Sequence, residues 1–539
     1  MEGEAMDIGE GPSRRAVMGL LGGVPLAASG VLAAAGTARA RPAGRRTGAA
    51  ERELAARIDG ITGRPEFAGA RWGMACYAPD TGAFHHALRP DELFTAGSAF
   101  KVFVAGTAFE RLGAEHRFRT RVYGTGPVVR GVLRGDLVLV AGGDLLLSGR
   151  TRPDGTLELP ERDPSYPGGA PLSDPLREIR DLAAQVAAAG VRRVDGRVRV
   201  DVSLFREVEA SAAIDDQRIT VSPIMVNEHV VHAVVTPGSV VGAPAVVRAF
   251  PENGHVRFDV RVTTAAASGP VARLGFCEAT TGGDGTVTVP VTGEVPVGGP
   301  VRYQPYFVRE PARYAATLLA EALTAAGVPA TPGGAAGSGY RRHGRRLAEH
   351  VSPPLAESSK VMLKVSSNVH TVTFPRLVGA VAGHDPVTPE ATYERYRDAL
   401  FHEAGVHPDR ADQAEGLFTA DTFVRFLALL RHRPYFPAYH RALPIMGRDG
   451  TIAGNQPDSP AAGHVFAKTG TAVRLLPSGE AEANKSLAGY VHLPDGRWVT
   501  FAQFMAGPTT RDAVLDLTDR TQEAMAEIAT AIHQTLGGR

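Results

Sequence analysis

The sequence predicts an α+β protein in which helices surround an antiparallel sheet and a β-rich region is inserted partway along the chain. Three observations predict this. Near the start, "RWGMACYAPDTGAFHHALRPDELF" reads as two strands folded about Pro79-Asp80-Thr81-Gly82. Near the end, "GHVFAKTGT", "KSLAGYVHL" and "WVTFAQFMA" alternate and are joined by tight turns such as Pro494-Asp495-Gly496. Between them, from about 121 to 300, short valine-rich runs are broken by Gly, Pro and Asp, as in "VRRVDGRVRVDVSLF" and "HVRFDVRVTTAA".

Taken in order, the chain opens with paired Arg14 and Arg15, an apolar run from Ala16 to Ala35, and Ala38-Arg39-Ala40. That pattern resembles a twin-arginine-type export signal over 1–40 with an A-x-A cleavage site, an uncleaved membrane anchor being the alternative. It implies an extracytoplasmic protein with no membrane span after cleavage. "EREL" (51–54) begins a short helix, and the two strands follow. "TAGSAFKVFVAGTAFERLG" (95–113) is a helix whose apolar residues leave few polar faces, ended by Gly113. Within the β-rich region "PLREIRDLAAQVAAAGV" is helical, as is "PARYAATLLAEALTAAGV" (311–328), and "PATPGGAAGSG" reads as a Gly-rich joint. From about 337 helices return in "SSKVMLKVSSNVHTVTFPRLVGAVAG", "TYERYRDALFHEAG" and "ADTFVRFLALLRH", and a terminal helix runs from about Asp512 to Leu536. The expected organisation is therefore 41–120 and 337–539 as two parts of one domain, with 121–336 inserted.

Composition narrows the function. With 539 residues, 44% hydrophobic and 21% charged, the chain can bury more than one core. A net charge of +1 argues against nucleic acid or a membrane surface as partner. The basic run "RRHGRR" (341–346) reads as a solvated loop. Cys76 and Cys277 lie 201 residues apart without metal spacing and read as two buried free thiols. The 17 histidines form no H-E-x-x-H pattern, so nothing points to a metal.

Lysine is the informative residue. The chain has five, Lys101, Lys360, Lys364, Lys468 and Lys485, while arginine supplies the other 53 of the 58 basic residues. Arginine cannot serve where a base must give up its proton, whereas a desolvated amine can. Two of the five lysines fall in short motifs: Ser98-Ala-Phe-Lys101, the one S-x-x-K in the chain, and Lys468-Thr469-Gly470, followed by Thr471. Between them lies Ser366-Ser367-Asn368. Residues three apart share a helix face, so Lys101 can lie against Ser98 and, if neutral, take its proton. Taken alone, Ser366 and Asn368 could equally cap a turn, and Thr469 and Thr471 could be ordinary strand residues.

The three motifs in this order resemble the active-site set of penicillin-binding proteins and serine β-lactamases. Ser98 and Ser366 are 268 residues apart, far more than in a plain β-lactamase. That gap, with "LRGDLVLVAGGDLLL", "VDGRVRVDVSLF", "LPIMGRDGT" and "KSLAGYVHLPDG", is similar to the D-alanyl-D-alanine carboxypeptidase/endopeptidase family of low-molecular-mass penicillin-binding proteins. The resemblance implies a penicillin-binding/serine β-lactamase-like transpeptidase fold. It implies a serine peptidase acting on peptidoglycan stem peptides through an acyl-enzyme on Ser98, acylated also by β-lactams and needing no cofactor. Lys101 would be the base and Ser366 the proton donor to the leaving group. Asn368 would hold the substrate amide and Lys468 supply positive charge. Thr469, Gly470 and Thr471 would line the substrate strand, the threonines binding a carboxylate, and the N–H groups of Ser98 and Thr471 would form the oxyanion hole. The chain departs from the family pattern at Ser367, at His370-Thr371, in "AEGLFTA" (414–420) and in "FMAGP". Two rivals remain open: a repurposed acyl-serine hydrolase or transacylase of β-lactamase or esterase type, and a non-catalytic wall-binding protein. The first lacks an E-x-x-x-N element at β-lactamase spacing; the second would have no use for an activated serine.

Overall fold

A computed structural model describes residues 48–538 except 212–216, 269–271, 337–343, 408–409, 414–415 and 477–479. The expected export signal lies outside the described residues, as does the first half of the 341–346 run. Tertiary contacts divide the chain into two units. The first holds the described residues up to Val102, Leu400–Phe436 and the chain from Leu443 onward; the second holds Phe103–Ala399 and Pro437–Ala442.

The first unit begins with α1 (Ala49–Thr62), β1 (Arg71–Ala78) and β2 (Ala83–Leu88). A 3₁₀ turn, Gly97–Phe100, then leads into α2 (Lys101–Leu112). The chain builds the second unit, which includes α3 (Asn368–Ala382). It returns as α4 (Ala420–Arg431), β3 (Val465–Leu475), β4 (Glu480–His492), β5 (Trp498–Thr510) and α5 (Val514–Leu536). The strands form one antiparallel sheet in the order β2-β1-β5-β4-β3, so the N-terminal hairpin joins the C-terminal meander through β1 and β5, with Cys76 opposite Phe501.

Alternation explains why this sheet is covered on both faces. On β5, Val499, Phe501 and Met505 point into a core shared with Leu54 and Ile58 of α1 and Met525 and Ile528 of α5. The intervening residues face α4: Thr500 Oγ1 donates to Val424 O at 3.0 Å, and Phe504 meets Phe423 with ring centroids 5.5 Å apart. A strand buried on both sides must be apolar at nearly every position, as "WVTFAQFMA" is.

The second unit is built on a five-stranded sheet in the order Thr331–Ala335, Arg197–Asp201, Leu137–Val140, Arg119–Gly124, Arg345–Val351. Helices Arg177–Ala188 and Pro311–Ala325 bury Leu182, Val186, Leu318 and Leu319 in its core. Smaller sheets pair Val230–Thr236 with Val246–Phe250 and Arg302–Phe307, and Val256–Ala265 in parallel with Val287–Pro296. Two expectations need correction. The Gly-rich joint contains an edge strand, Thr331–Ala335, parallel to Arg197–Asp201; at Gly333 a Cβ would lie 2.8 Å from Val198 O, so the glycine permits the approach. Both cysteines are free, but only Cys76 is buried; Cys277 is exposed. No helix among the described residues is long and apolar enough to cross a membrane.

Candidate active site

Ser98 sits in the 3₁₀ turn, and Lys101 opens the α-helix that continues it. In a 3₁₀ turn residues three apart eclipse, which aligns the two more closely than an α-helix would. The turn is docked on the edge strand β3, and two glycines make the docking possible. Gly97 has φ +50°, and a Cβ there would lie 2.7 Å from Thr471 N and 2.9 Å from Thr471 O. At Gly470 a Cβ would lie 2.0 Å from Ala96 O and 2.9 Å from Ala99 N. The glycine of K-T-G is thus required because backbone meets backbone on either side of Ser98. Ser486 of β4 closes the arrangement by donating from Oγ to Ala96 O at 2.6 Å. Ser98 is left half-buried on this platform.

The lysines beside it are dry. Lys101 is 1%, Lys468 0% and Lys485 4% exposed. Burial lowers the pKa of Lys468 well below the ordinary lysine value, and the charges of Lys101 and then Lys485 lower it further. Coulomb repulsion is reciprocal, so ammonium groups facing one another in a dry site are driven to shed a proton between them. Lys468 donates from Nζ to Thr469 O at 2.9 Å. Thr469 is held from behind, its Oγ1 donating to Thr451 Oγ1 at 2.9 Å. Thr471 stands opposite Lys485 across the β3–β4 ladder, and Lys485 Nζ donates to Thr471 Oγ1 at 2.8 Å. Burial pushes Lys485 down to about 8, with the Asp519 charge opposing the shift.

Ser366 and Asn368 belong to the second unit, where they form the turn between helix Leu355–Lys364 and α3. Ser366 has φ +61°, a left-handed conformation that a serine holds only when its surroundings over-determine it. The surroundings are visible. Ser367 N donates to Val361 O at 3.1 Å, and the Ser367 carbonyl accepts from Thr371 Oγ1 at 2.6 Å. Ser367 Oγ caps α3 by accepting from His370 N at 3.5 Å. Tyr166 donates from its hydroxyl to Ser366 O at 2.8 Å, and the Asn368 backbone also bonds to that hydroxyl.

Behind the turn lies a buried ionic cluster. Arg150 is fully buried, with Nη2 2.8 Å from Asp163 Oδ2 and a close pairing to Glu228. His370 Nε2 is 3.9 Å from Glu228 Oε1. Burial and then the Glu228 charge push the Asp163 carboxyl up to about 6, against the opposing effect of Arg150. Glu228 sits in a run of three left-handed residues, Asn227, Glu228 and His229. His370, one of the departures from the family pattern, is therefore part of a packed network.

The structure thus brings Ser98, Lys101, Lys468, Thr469, Gly470 and Thr471 together in the first unit, and places Ser366 and Asn368 at one turn of the second. Sequence reasoning did not single out Lys485, Ser486, Thr451 or Tyr166 as site residues. For Lys485 a signal existed, because it is one of only five lysines.

Comparison with known proteins identifies the family. The model of the D-Ala-D-Ala carboxypeptidase 3 (S13) family matches residues 54–531. The chain is 30% identical over 480 residues to the D-alanyl-D-alanine carboxypeptidase of Actinomadura sp. (strain R39), covering 84% of this chain and 80% of that one. Among solved structures it is similar to penicillin-binding protein 4 from Haemophilus influenzae, with a TM-score of 0.63 at 18% identity over 89% of this chain and 99% of that one. The same Haemophilus protein complexed with a β-lactam superposes with a TM-score of 0.61 at 19% identity. The fold is that of the penicillin-binding proteins, α+β with helices around antiparallel sheet. The chain belongs to the D-Ala-D-Ala carboxypeptidase 3 (S13) family and is a serine-type peptidase, a hydrolase.

Proposed function

We propose that the chain removes the terminal D-Ala from peptidoglycan stem peptides ending in D-Ala-D-Ala, through an acyl-enzyme on Ser98, and that it cleaves cross-links of the same chemistry. The observation that carries the reading is the half-buried Ser98 three residues from a dry lysine, on a turn seated against β3. The neutral amine of Lys101 takes the Ser98 Oγ proton as Oγ attacks the penultimate carbonyl. The Oγ–C bond forms, the C–N bond breaks, and the leaving amine receives a proton from Ser366, which takes in its place the proton that Lys101 removed from Ser98. Water then cleaves the ester, releasing the shortened peptide acid and restoring Ser98. The N–H groups of Ser98 and Thr471 stabilise the oxyanion, Asn368 holds the substrate amide, and Lys468, Thr469 and Thr471 face the terminal carboxylate. The roles of Ser366 and Asn368 rest on the motif. On this reading 121–336 is the insertion, 1–40 directs export, and β-lactams acylate Ser98 as substrate mimics.

The test is D-Ala release from a peptide ending in D-Ala-D-Ala, with intact mass after benzylpenicillin, for the full chain and Ser98→Ala. Release and a stable adduct with the wild type alone are expected. Neither activity in the wild type would remove the reading in favour of a repurposed hydrolase or a wall-binding protein.

A further inference from the structure

Lysine is so scarce in this chain that its third appearance beside Ser98 calls for a reason. Three of the five lysines, Lys101, Lys468 and Lys485, are buried in the first unit. Two lie in the motifs; Lys485 does not. An arginine-rich chain has a better residue for a structural cation, and a buried ammonium among like charges destabilises the fold unless it does something else.

Its geometry shows what that is. Lys485 is the cross-strand partner of Thr471, and its Nζ donates to Thr471 Oγ1 at 2.8 Å. A hydroxyl that accepts from a cation keeps its own proton for another acceptor and is polarised toward donating it. Thr471, half-buried at the end of K-T-G-T, therefore presents a charge-assisted donor backed by a positive charge. An anion is the ligand that gains from such a donor.

We propose that Lys485 is a specificity-determining residue: acting through Thr471, it selects substrates that carry a free carboxylate on the leaving residue over amides or esters of the same residue. The inference rests on the reading of Ser98 as acyl-enzyme nucleophile. The charges facing Lys485 are Lys468 on β3 and Asp519 on α5, while β5 places Met505 opposite it. Burial and the neighbouring lysine charges push Lys468 well below the ordinary lysine value, while Lys485 is held at about 8 and so carries its charge near neutral pH.

The test compares a peptide ending in D-Ala-D-Ala with its C-terminal amide, using the full chain, Lys485→Met, Lys485→Arg and Thr471→Val. The Lys485→Met variant should lose roughly 10- to 100-fold in kcat/KM on the free acid, mostly through KM, with the amide unchanged within about threefold. Thr471→Val should lose the same preference, and Lys485→Arg should recover part of it. In the wild type the preference for the acid should decline as pH rises through about 8, and in Lys485→Met it should be flat. Equal losses on both peptides, or no loss on either, would overturn the proposal while wild-type turnover kept the reading of Ser98 intact. A wild type inert toward both peptides and benzylpenicillin would overturn that reading, and the proposal with it.

Discussion

In the first unit three lysines of one charge sign are buried near one another; in the second a single arginine is buried against two carboxylates. The second arrangement satisfies itself. Burial works against the Arg150 charge, but Glu228 and Asp163 outweigh it and the guanidinium stays charged. The first arrangement does the reverse, since burial and then the like charges of Lys101 and Lys485 all lower the pKa of Lys468. Opposite charges buried together hold a shape. Like charges buried together hold a proton loosely, which is of use only to chemistry. The contrast fits the proposed roles of the lysines in catalysis and substrate choice and of the arginine cluster in scaffolding, and substitutions can test each side.

The largest effect is expected at Lys101. Lys101→Met should lower the rate of Ser98 acylation roughly 10²- to 10⁴-fold. Its melting temperature should hold or rise, because a desolvated amine has left a dry site. Acylation followed by intact mass, beside a thermal melt, checks both halves; a variant that loses activity only because it unfolds would break the comparison. Arg150→Met should do the opposite. It leaves Asp163 and Glu228 facing each other in a dry site and should destabilise the chain by about 3–5 kcal/mol. Adding Glu228→Gln should restore part of that in urea unfolding, since the pair of carboxylates would be reduced to one.

A pH series separates the regions next. His229 and His232 are held down to about 3 and about 4, chiefly by burial, and Asp163 is held up to about 6. Unfolded, the imidazoles protonate near 6.5 and the carboxyl near 3.8. Between about pH 6 and pH 4 the unfolded chain therefore binds two protons that the folded chain refuses, and the folded chain binds one that the unfolded chain refuses. From these three groups stability should fall by about 1.4 kcal/mol for each unit of acidification across that window. Lys485 acts on the alkaline side. Held at about 8 against an ordinary 10.5, it is neutral in the folded chain while still charged in the unfolded one, so its contribution to stability grows from about pH 8 to 10.5. Melts at pH 5, 7 and 9 read both directions, and a chain equally stable at pH 5 and 7 would contradict the assignment of the buried histidines.

The difference between the two clusters also explains what could be read from sequence. Ser98, Lys101 and the K-T-G strand were legible because their signals are local: a three-residue spacing, a strand alternation, a rare residue type. The strands around the PDTG turn and from 465 to 510 were legible for the same reason. Lys485 contacts Thr471 only through the β3–β4 register, and Ser486 reaches Ala96 from 390 residues away, so neither contact is visible until strands are paired. Arg150, Asp163 and Glu228 were invisible in a different way. A charged residue is expected at the surface, and Arg150 and Glu228 are 78 residues apart. Gly470 was read as part of a motif; that a Cβ there would strike Ala96 O is a three-dimensional fact.

The smallest effect asks whether the scaffolding cluster touches chemistry at all. Tyr166 spans the two, since its ring lies within reach of the Asp163 and Glu228 charges and its hydroxyl is bonded to Ser366 O. Tyr166→Phe removes that hydroxyl and keeps the ring. The lost hydrogen bond is expected to amount to about 1 kcal/mol. If Ser366 takes part in the reaction, its left-handed conformation must be held in place, and kcat should fall roughly fivefold with KM nearly unchanged. A variant with a lower melting temperature and unaltered kcat would mean that the turn is packing alone, and that the division between the like-charged and opposite-charged regions is complete. Steady-state release of D-Ala beside a thermal melt distinguishes the two, because the first outcome moves a rate and the second moves only a temperature.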